Sequence, residues 1–317
     1  MMKTFEEKQV DIQGGVVLKG TLTISTTGQG KSPAVLILPG TGKADRDGNI
    51  NQNKLQFNLY RDLSEQIAAW GFITLRYDKR GTGESEGKHI ETGMWDLVND
   101  AQKAVQFLKE HPDVDENHII VLGHSEGATL GTALAVREEI QGLILLSGGG
   151  EKIQEAMERQ RELSYQELES KKGFLGWMFR TFHLKNKSEQ KTKKWMDKVM
   201  TSDKDVIKAQ LFVPFPAKWM REHLAYNVLE DLKKIDCPVL AITGSADYQA
   251  DAEKLERVEK SVSGQVKVVE IENMDHMLKQ SPPVSILKLK KAYIKNRHNP
   301  LHPELIKHVR DWLQNYR

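Results

Sequence analysis

The chain has 317 residues, 39% of them hydrophobic and 28% charged, with a formal net charge of +2. That supplies apolar material for one large core with an inserted subdomain or for two domains; no apolar run approaches the ~18 residues of a spanning helix, and the near balance of charge argues against nucleic acid as the default partner. Cys237 is the sole cysteine, which excludes an intrachain disulfide and a thiolate metal cluster and leaves it to be read as a small core residue.

The start of the chain, from Met1 to Glu7, lacks the apolar stretch of a signal peptide, so a cytoplasmic protein is expected. Val10, Ile12, Val16, Leu18, Leu22 and Ile24 alternate around Gly14 and Gly15, and predict a β-hairpin over residues 9–25. Residues 34–38 form the first fully buried strand, ending in Pro39-Gly40-Thr41-Gly42. The charged triplet Asp45, Arg46 and Asp47 reads as a solvated turn. Leu55, Leu59, Leu63, Ile67 and Ala68 recur at helical spacing and predict a helix over 55–70, stopped by Gly71. A strand follows over 72–75. The glycine-rich Asp78-Lys79-Arg80-Gly81-Thr82-Gly83 lacks the spacing of a phosphate-binding loop and reads as a structural turn. A further helix is predicted over 95–108.

Residues 119–122 are four apolar residues that read as a short buried strand, and the small residues from Ala128 to Val136 as a tightly packed helix. Between them stands Gly123-His124-Ser125-Glu126-Gly127. This G-x-S-x-G spacing, between a strand and a helix, is that of a sharp turn on which a nucleophilic serine is exposed, where a Cβ on either flank would collide with its neighbours. The turn also puts the N–H of Glu126 at a helix N-terminus, suited to a developing oxyanion. His124 reads as a wall residue. Another strand follows over 142–146. Buried strands alternating with amphipathic helices indicate βαβ units and a parallel sheet with helices on both faces.

After Gly150 the composition turns to Glu, Lys, Gln and Met, strong helix formers without a strand-like run, so an all-helical insertion is expected over 151–224. It divides a core of residues 1–150 and 225–317. Phe174, Trp177, Met178, Phe179 and Phe182 cluster beside Lys171, Lys172, Arg180, Lys185 and Lys187. The favoured reading is an aromatic stripe over the active-site mouth, with Trp177, Phe179, Phe182 and Trp219 lining a substrate pocket. A dimer contact comes second, and a membrane-surface contact by this basic aromatic helix is the least favoured. Beyond the insertion, a strand over 239–242 runs into Thr243-Gly244-Ser245-Ala246-Asp247. The last strand, 266–271, runs into Glu272-Asn273-Met274-Asp275-His276. His298, His302 and His308 are expected at the surface. No metal-ligating cluster emerges, and the chemistry should need no cofactor.

Gly-His-Ser-Glu-Gly after a buried strand resembles the α/β-hydrolase superfamily. Leu38-Pro39-Gly40-Thr41-Gly42, the stretch from Arg76 to Ser85, and Cys237 to Asp247 are similar to its bacterial esterase and serine-aminopeptidase-like branch. The resemblance covers most of the chain outside about residues 150–215. It implies an α/β-hydrolase fold: a mostly parallel sheet with an N-terminal antiparallel hairpin, helices on both faces and an inserted helical lid. Where the family commonly has Tyr-Asp-Pro on leaving the lid, this chain has Tyr226-Asn227-Val228, which puts the orientation of the lid in doubt.

The superfamily order of serine, acid and histidine implies a triad of Ser125, Asp247 and His276. Asp251 is the rival acid, and is better suited to starting the next helix. The family also places an oxyanion N–H in the loop after the first buried strand, which falls on Thr41 and complements that of Glu126. The expected activity is hydrolysis of small-molecule carboxylic esters through an acyl-enzyme. A peptidase or amidase of the serine aminopeptidase type and an acyltransferase are the enzymatic alternatives. A non-catalytic binding module comes last, since it would usually have lost a triad member.

Overall fold

The computed structural model describes residues 5–26, 30–50, 55–181, 184–209 and 212–317. The strands in chain order are β1 (Phe5–Gln13), β2 (Val17–Ser25), β3 (Ser32–Leu38), β4 (Ile73–Tyr77), β5 (Val114–His124), β6 (Gly142–Leu146), β7 (Val206–Lys208), β8 (Pro214–Pro216), β9 (Val239–Gly244) and β10 (Val266–Ile271). Eight of them form one sheet in the order β1-β2-β4-β3-β5-β6-β9-β10. The predicted hairpin is β1 and β2, which pair antiparallel, and β2 pairs antiparallel with β4. Every other neighbouring pair in this sheet is parallel.

Side-chain alternation along the central strands builds two cores. Leu36 and Leu38 of β3, Ile119 and Val121 of β5, and Leu143 and Leu145 of β6 face one side. There they meet α2 (Met94–Glu110) and α3 (Glu126–Ala135). Val35, Ile37, Ile120, Leu122, Ile144 and Leu146 face the other side, against α1 (Leu59–Ala69). Because both faces are covered, these strands are apolar at every position rather than at every second one. Each buried aliphatic side chain contributes roughly 1.5–3 kcal/mol, so the two cores fix the strand ends from which the site loops emerge.

Between β6 and β9 the chain forms α4 (Ile153–Ser170), α5 (Phe174–Thr181), α6 (Leu184–Met200), then β7, β8, α7 (Ala217–Ala225) and α8 (Val228–Leu232). The expectation of helices alone is corrected here. β7 and β8 pair antiparallel, with Ile207 opposite Phe215. Three-residue strands are too short to display a period of two in sequence. Their Ile207 packs with Val199, Ala217 and Met220 in a small core belonging to the insertion.

After β9 come α9 (Leu255–Ser261), then β10, α10 (Leu289–Asn296) and α11 (Pro303–Leu313), whose Leu305, Val309 and Trp312 complete the α1 side of the sheet. Two smaller differences bear on the site. Helix α1 begins at Leu59 and not at Leu55, because the Asn49 side-chain oxygen accepts the N–H groups of Phe57 and Asn58 and holds that segment as a loop. His302, expected at the surface, is buried and accepts the N–H of Glu304 at the start of α11. Among the described residues no helix is long and apolar enough to cross a membrane.

Candidate active site

Strand β5 passes into α3 through Ser125, whose φ of 56° and ψ of −119° lie outside the ordinary regions for an L-residue. Such a conformation costs on the order of 1–3 kcal/mol and persists only where the surroundings impose it. Here they do. The N–H of Ser125 donates to Leu146 O at 2.9 Å and its carbonyl accepts Ala128 N at 3.0 Å. A Cβ on Gly123 would lie 2.1 Å from Gly127 O, and one on Gly127 would lie 2.1 Å from Leu38 O. Both flanking glycines are therefore required by close backbone approach.

The loops after β9 and β10 bring Asp247 and His276 to that serine. His276 Nε2 is 3.1 Å from Ser125 Oγ, and His276 Nδ1 is 3.0 and 2.9 Å from the two carboxylate oxygens of Asp247. A carboxylate only accepts, so Nδ1 carries the proton, and in the neutral ring Nε2 is left to accept from the serine hydroxyl. Asp247 Oδ1 also accepts the N–H groups of Gln249 and Ala250 at 2.8 and 2.9 Å. Burial alone would raise the Asp247 carboxyl, but the facing His276 and the Ala250 amide outweigh it and hold the group below its ordinary value. The rival Asp251 caps the next turn by accepting Glu253 N at 3.1 Å.

His124 is more than a wall. Its Nε2 lies 2.8 Å from the carbonyl oxygen of His276, and its Nδ1 3.0 Å from Tyr60 Oη. A carbonyl cannot donate, so Nε2 carries the proton and Nδ1 accepts from the Tyr60 hydroxyl. Tyr60 Oη in turn accepts Gly40 N–H at 2.7 Å. Burial, reinforced by the neighbouring His276, pushes the His124 imidazolium down to about 3, so the ring is neutral. One buried chain of hydrogen bonds thus joins the loop after β3, the residue before Ser125 and the loop bearing His276.

Thr41 lines a cavity of about 570 Å³ together with Ser125 and His276. Glu126 is turned the other way: its N–H is at the start of α3, where first-turn amides have no intrahelical acceptor, while its carboxylate is buried behind the loop. Lys79 Nζ lies 3.1 Å from Glu126 Oε2, Trp219 Nε1–H donates to Oε1 at 2.5 Å, and His223 Nε2 stands 3.2 Å from Oε1. Burial would raise the Glu126 carboxyl, but the Lys79 ammonium, with His223 and Trp219, outweighs it and holds the group well below its ordinary value.

The expected pocket residues are corrected. None of Trp177, Phe179 and Trp219 lines the cavity that holds Ser125. Trp177 is half-exposed on α5 beside Phe174, Phe179 packs on Tyr165, and Trp219 is committed to Glu126. Phe182 lies outside the described residues. Phe179 is spent on packing within the insertion and Trp219 on Glu126, while Phe174 and Trp177 remain exposed. Instead the walls are Ile50, Leu55 and Phe57 before α1, Gln160 and Ser164 of α4, and Ile286, Leu289, Tyr293 and Ile294 around α10. Sequence reading missed these, although Ile286, Leu289, Tyr293 and Ile294 recur at helical spacing after the histidine loop. Lys290 is the one ionised side chain on this lining, and no carboxylate lines it among the described residues. Among the described residues there is also no group of three or more His, Cys, Asp or Glu arranged for a metal ion.

Comparison with known proteins follows the same lines. A family profile described as serine aminopeptidase, S33, matches residues 56–282. Esterase EstD of Thermotoga maritima is 30% identical over 292 residues, which are 90% of this chain and 64% of that protein, so the chain spans less than two thirds of that relative. Among solved structures, Est1E of Butyrivibrio proteoclasticus with ferulic acid bound matches over 97% of this chain and 98% of its own, with a TM-score of 0.62 at 19% identity. A Pyrococcus furiosus esterase matches over 98% and 93%, with a TM-score of 0.55 at 17% identity. At those identities the structural likeness speaks for the fold. Taken with the residues matched by the profile, it identifies the chain as a member of the serine aminopeptidase S33 family, on the α/β-hydrolase fold.

Proposed function

We propose that this protein hydrolyses small carboxylic esters through an acyl-enzyme on Ser125, with His276 as base and acid and Asp247 as its orienting partner. The observation that carries this reading is the hydrogen-bonded series from Ser125 Oγ through His276 to Asp247, opening on a cavity that no carboxylate lines among the described residues. Ser125 Oγ attacks the acyl carbonyl while its proton passes to His276 Nε2, and the imidazolium is stabilised by Asp247. The N–H groups of Thr41 and Glu126 hold the oxyanion. Collapse of the tetrahedral intermediate breaks the ester C–O bond, and His276 returns the proton to the leaving alcohol. Water, deprotonated by His276, then attacks the acyl-enzyme, and the acid leaves as Ser125 regains its proton. An alcohol or amine in place of that water would give acyl transfer from the same intermediate.

The apolar residues around α10 and before α1 are read as the acyl pocket, and the insertion over 151–224 as a lid that contributes Gln160 and Ser164 to its roof. An aminopeptidase needs an acid to hold the substrate's α-ammonium group, and the lining supplies a lysine instead. Esters are therefore preferred over peptides. The test is turnover of p-nitrophenyl esters of increasing chain length beside leucine p-nitroanilide, with native protein and Ser125→Ala. Ester turnover that is lost in the variant is expected. Turnover that survives Ser125→Ala, or faster cleavage of the anilide than of any ester, overturns the reading.

A further inference from the structure

The loop Pro39-Gly40-Thr41-Gly42 has glycine on both sides of Thr41, and Gly42 has a φ of +105°. Glycine gives such a loop little conformational preference of its own, yet an oxyanion donor must keep one orientation throughout turnover. The structure holds Gly40 from two directions. Its N–H donates to Tyr60 Oη at 2.7 Å, and its carbonyl accepts Lys79 Nζ at 2.6 Å. That carbonyl belongs to the same peptide unit as the N–H of Thr41. In a planar trans peptide the two bonds point in opposite directions, so drawing the carbonyl inward to Lys79 turns the N–H of Thr41 outward.

Lys79 is 2% exposed, with its ammonium shared between Gly40 O and Glu126 Oε2. A buried ammonium is costly unless paired and hydrogen-bonded, and neither partner is an ordinary structural one. One is the carbonyl behind the first oxyanion donor, and the other is the side chain of the residue that supplies the second. The geometry points to Lys79 as a positioning residue for the oxyanion hole, a role that rests on the acyl-transfer reading above. Its ammonium locks the Gly40–Thr41 peptide against a flip that would present a carbonyl oxygen to the developing oxyanion. The bond to a cation also polarises that peptide and makes the Thr41 N–H a stronger donor. Glu126 is the counter-charge that keeps the ammonium in place.

The test uses Lys79→Met, which keeps most of the stem, and Lys79→Met/Glu126→Gln, which leaves no unpaired charge if the single variant fails to fold. The readouts are kcat and KM for a p-nitrophenyl ester and inhibition by two matched ketones. A trifluoromethyl ketone forms an oxyanion adduct with the serine, whereas the methyl ketone of the same shape mimics the bound substrate. In the folded variant kcat falls on the order of 100-fold with KM within about threefold, the low end of losing one oxyanion donor. Trifluoromethyl ketone affinity falls by the same factor and methyl ketone affinity holds. Near-native kcat and trifluoromethyl ketone affinity in either folded variant overturn the proposal. Equal weakening of KM and of both ketones also overturns it, since it reduces Lys79 to a general structural role. Native protein that neither turns over esters nor is labelled at Ser125 by a fluorophosphonate refutes the acyl-transfer reading instead.

Discussion

Replacing His124 with phenylalanine keeps a ring of similar size and removes two hydrogen bonds from the interior. The hydroxyl proton of Tyr60 loses its acceptor, and the carbonyl of His276 loses its donor. Each buried group left unpaired costs about 1–3 kcal/mol, so the variant should be about 4 kcal/mol less stable near neutral pH. The size of that gap should depend on pH, with a definite sign. In the folded protein the His124 imidazolium is held down at about 3, while in the unfolded chain it titrates near 6.5. Below that unfolded value the unfolded state binds a proton that the folded state refuses. The stability contributed by neutral His124 is therefore complete above about pH 6.5 and is lost progressively as the pH falls toward 3. At about 1.4 kcal/mol per pH unit, going from pH 7 to pH 5 removes about 2 kcal/mol from the native protein and nothing from the phenylalanine variant at this position. Urea unfolding of both proteins at pH 7, 6 and 5, with linear extrapolation to water, measures the gap directly. It should shrink from about 4 to about 2 kcal/mol. A gap that stays constant or widens toward pH 5 would mean that His124 is not held neutral, and the assigned donation from the Tyr60 hydroxyl to His124 Nδ1 would fall with it.

Three further outcomes follow from the site. Asp247→Asn should lower kcat on the order of 10³- to 10⁴-fold, because the amide stabilises the wrong tautomer of His276; single-turnover kinetics with a p-nitrophenyl ester would read it, and a loss below tenfold would shift the acid role elsewhere. Gly127→Ala should destabilise by about 3 kcal/mol or more, since its Cβ would meet the Leu38 carbonyl at 2.1 Å, and an unchanged urea midpoint would contradict the described turn. Tyr293→Ala should move the preferred p-nitrophenyl ester toward longer acyl chains, with each added methylene worth about tenfold in kcat/KM; the same preference in both proteins would remove α10 from the acyl pocket.

Much of the frame was legible in the sequence because its signals are local. The apolar runs of β3, β5, β6 and β9 could be read without tertiary information, as could the strand and helix flanking Ser125. Asp247 and His276 stand at the carboxyl ends of two later strands, but it was the superfamily order of serine, acid and histidine that singled them out. What escaped was set by partners distant along the chain. Lys79 looks like part of a charged turn until the fold brings it against Gly40 and Glu126, and Tyr60 occupies an ordinary helical position until its hydroxyl is seen between Gly40 and His124. The pocket was misassigned for a physical reason. An aromatic cluster in an insertion predicts burial somewhere, but not against which surface. Phe179 buries against Tyr165 of α4, and Trp219 beneath Glu126, so neither is free for the cavity.

The family description and the cavity point to different substrates, and the charges are what favour the proposed ester. An aminopeptidase site must hold an ammonium group, which in a partly enclosed cavity needs a carboxylate to offset lost hydration. Here the acids nearest the chemistry are already committed. Asp247 is engaged by His276 and two backbone amides, and Glu126 by Lys79 with Trp219 and His223 beside it. Neither carboxylate is on the cavity lining, and the ionised side chain that is there, Lys290, repels an ammonium. Neutral acyl groups meet no such cost against Ile286, Leu289 and Ile294. The fold and the Ser125 turn can be shared across the family while the charge on the wall differs, and on this wall it supports the proposed ester over a peptide.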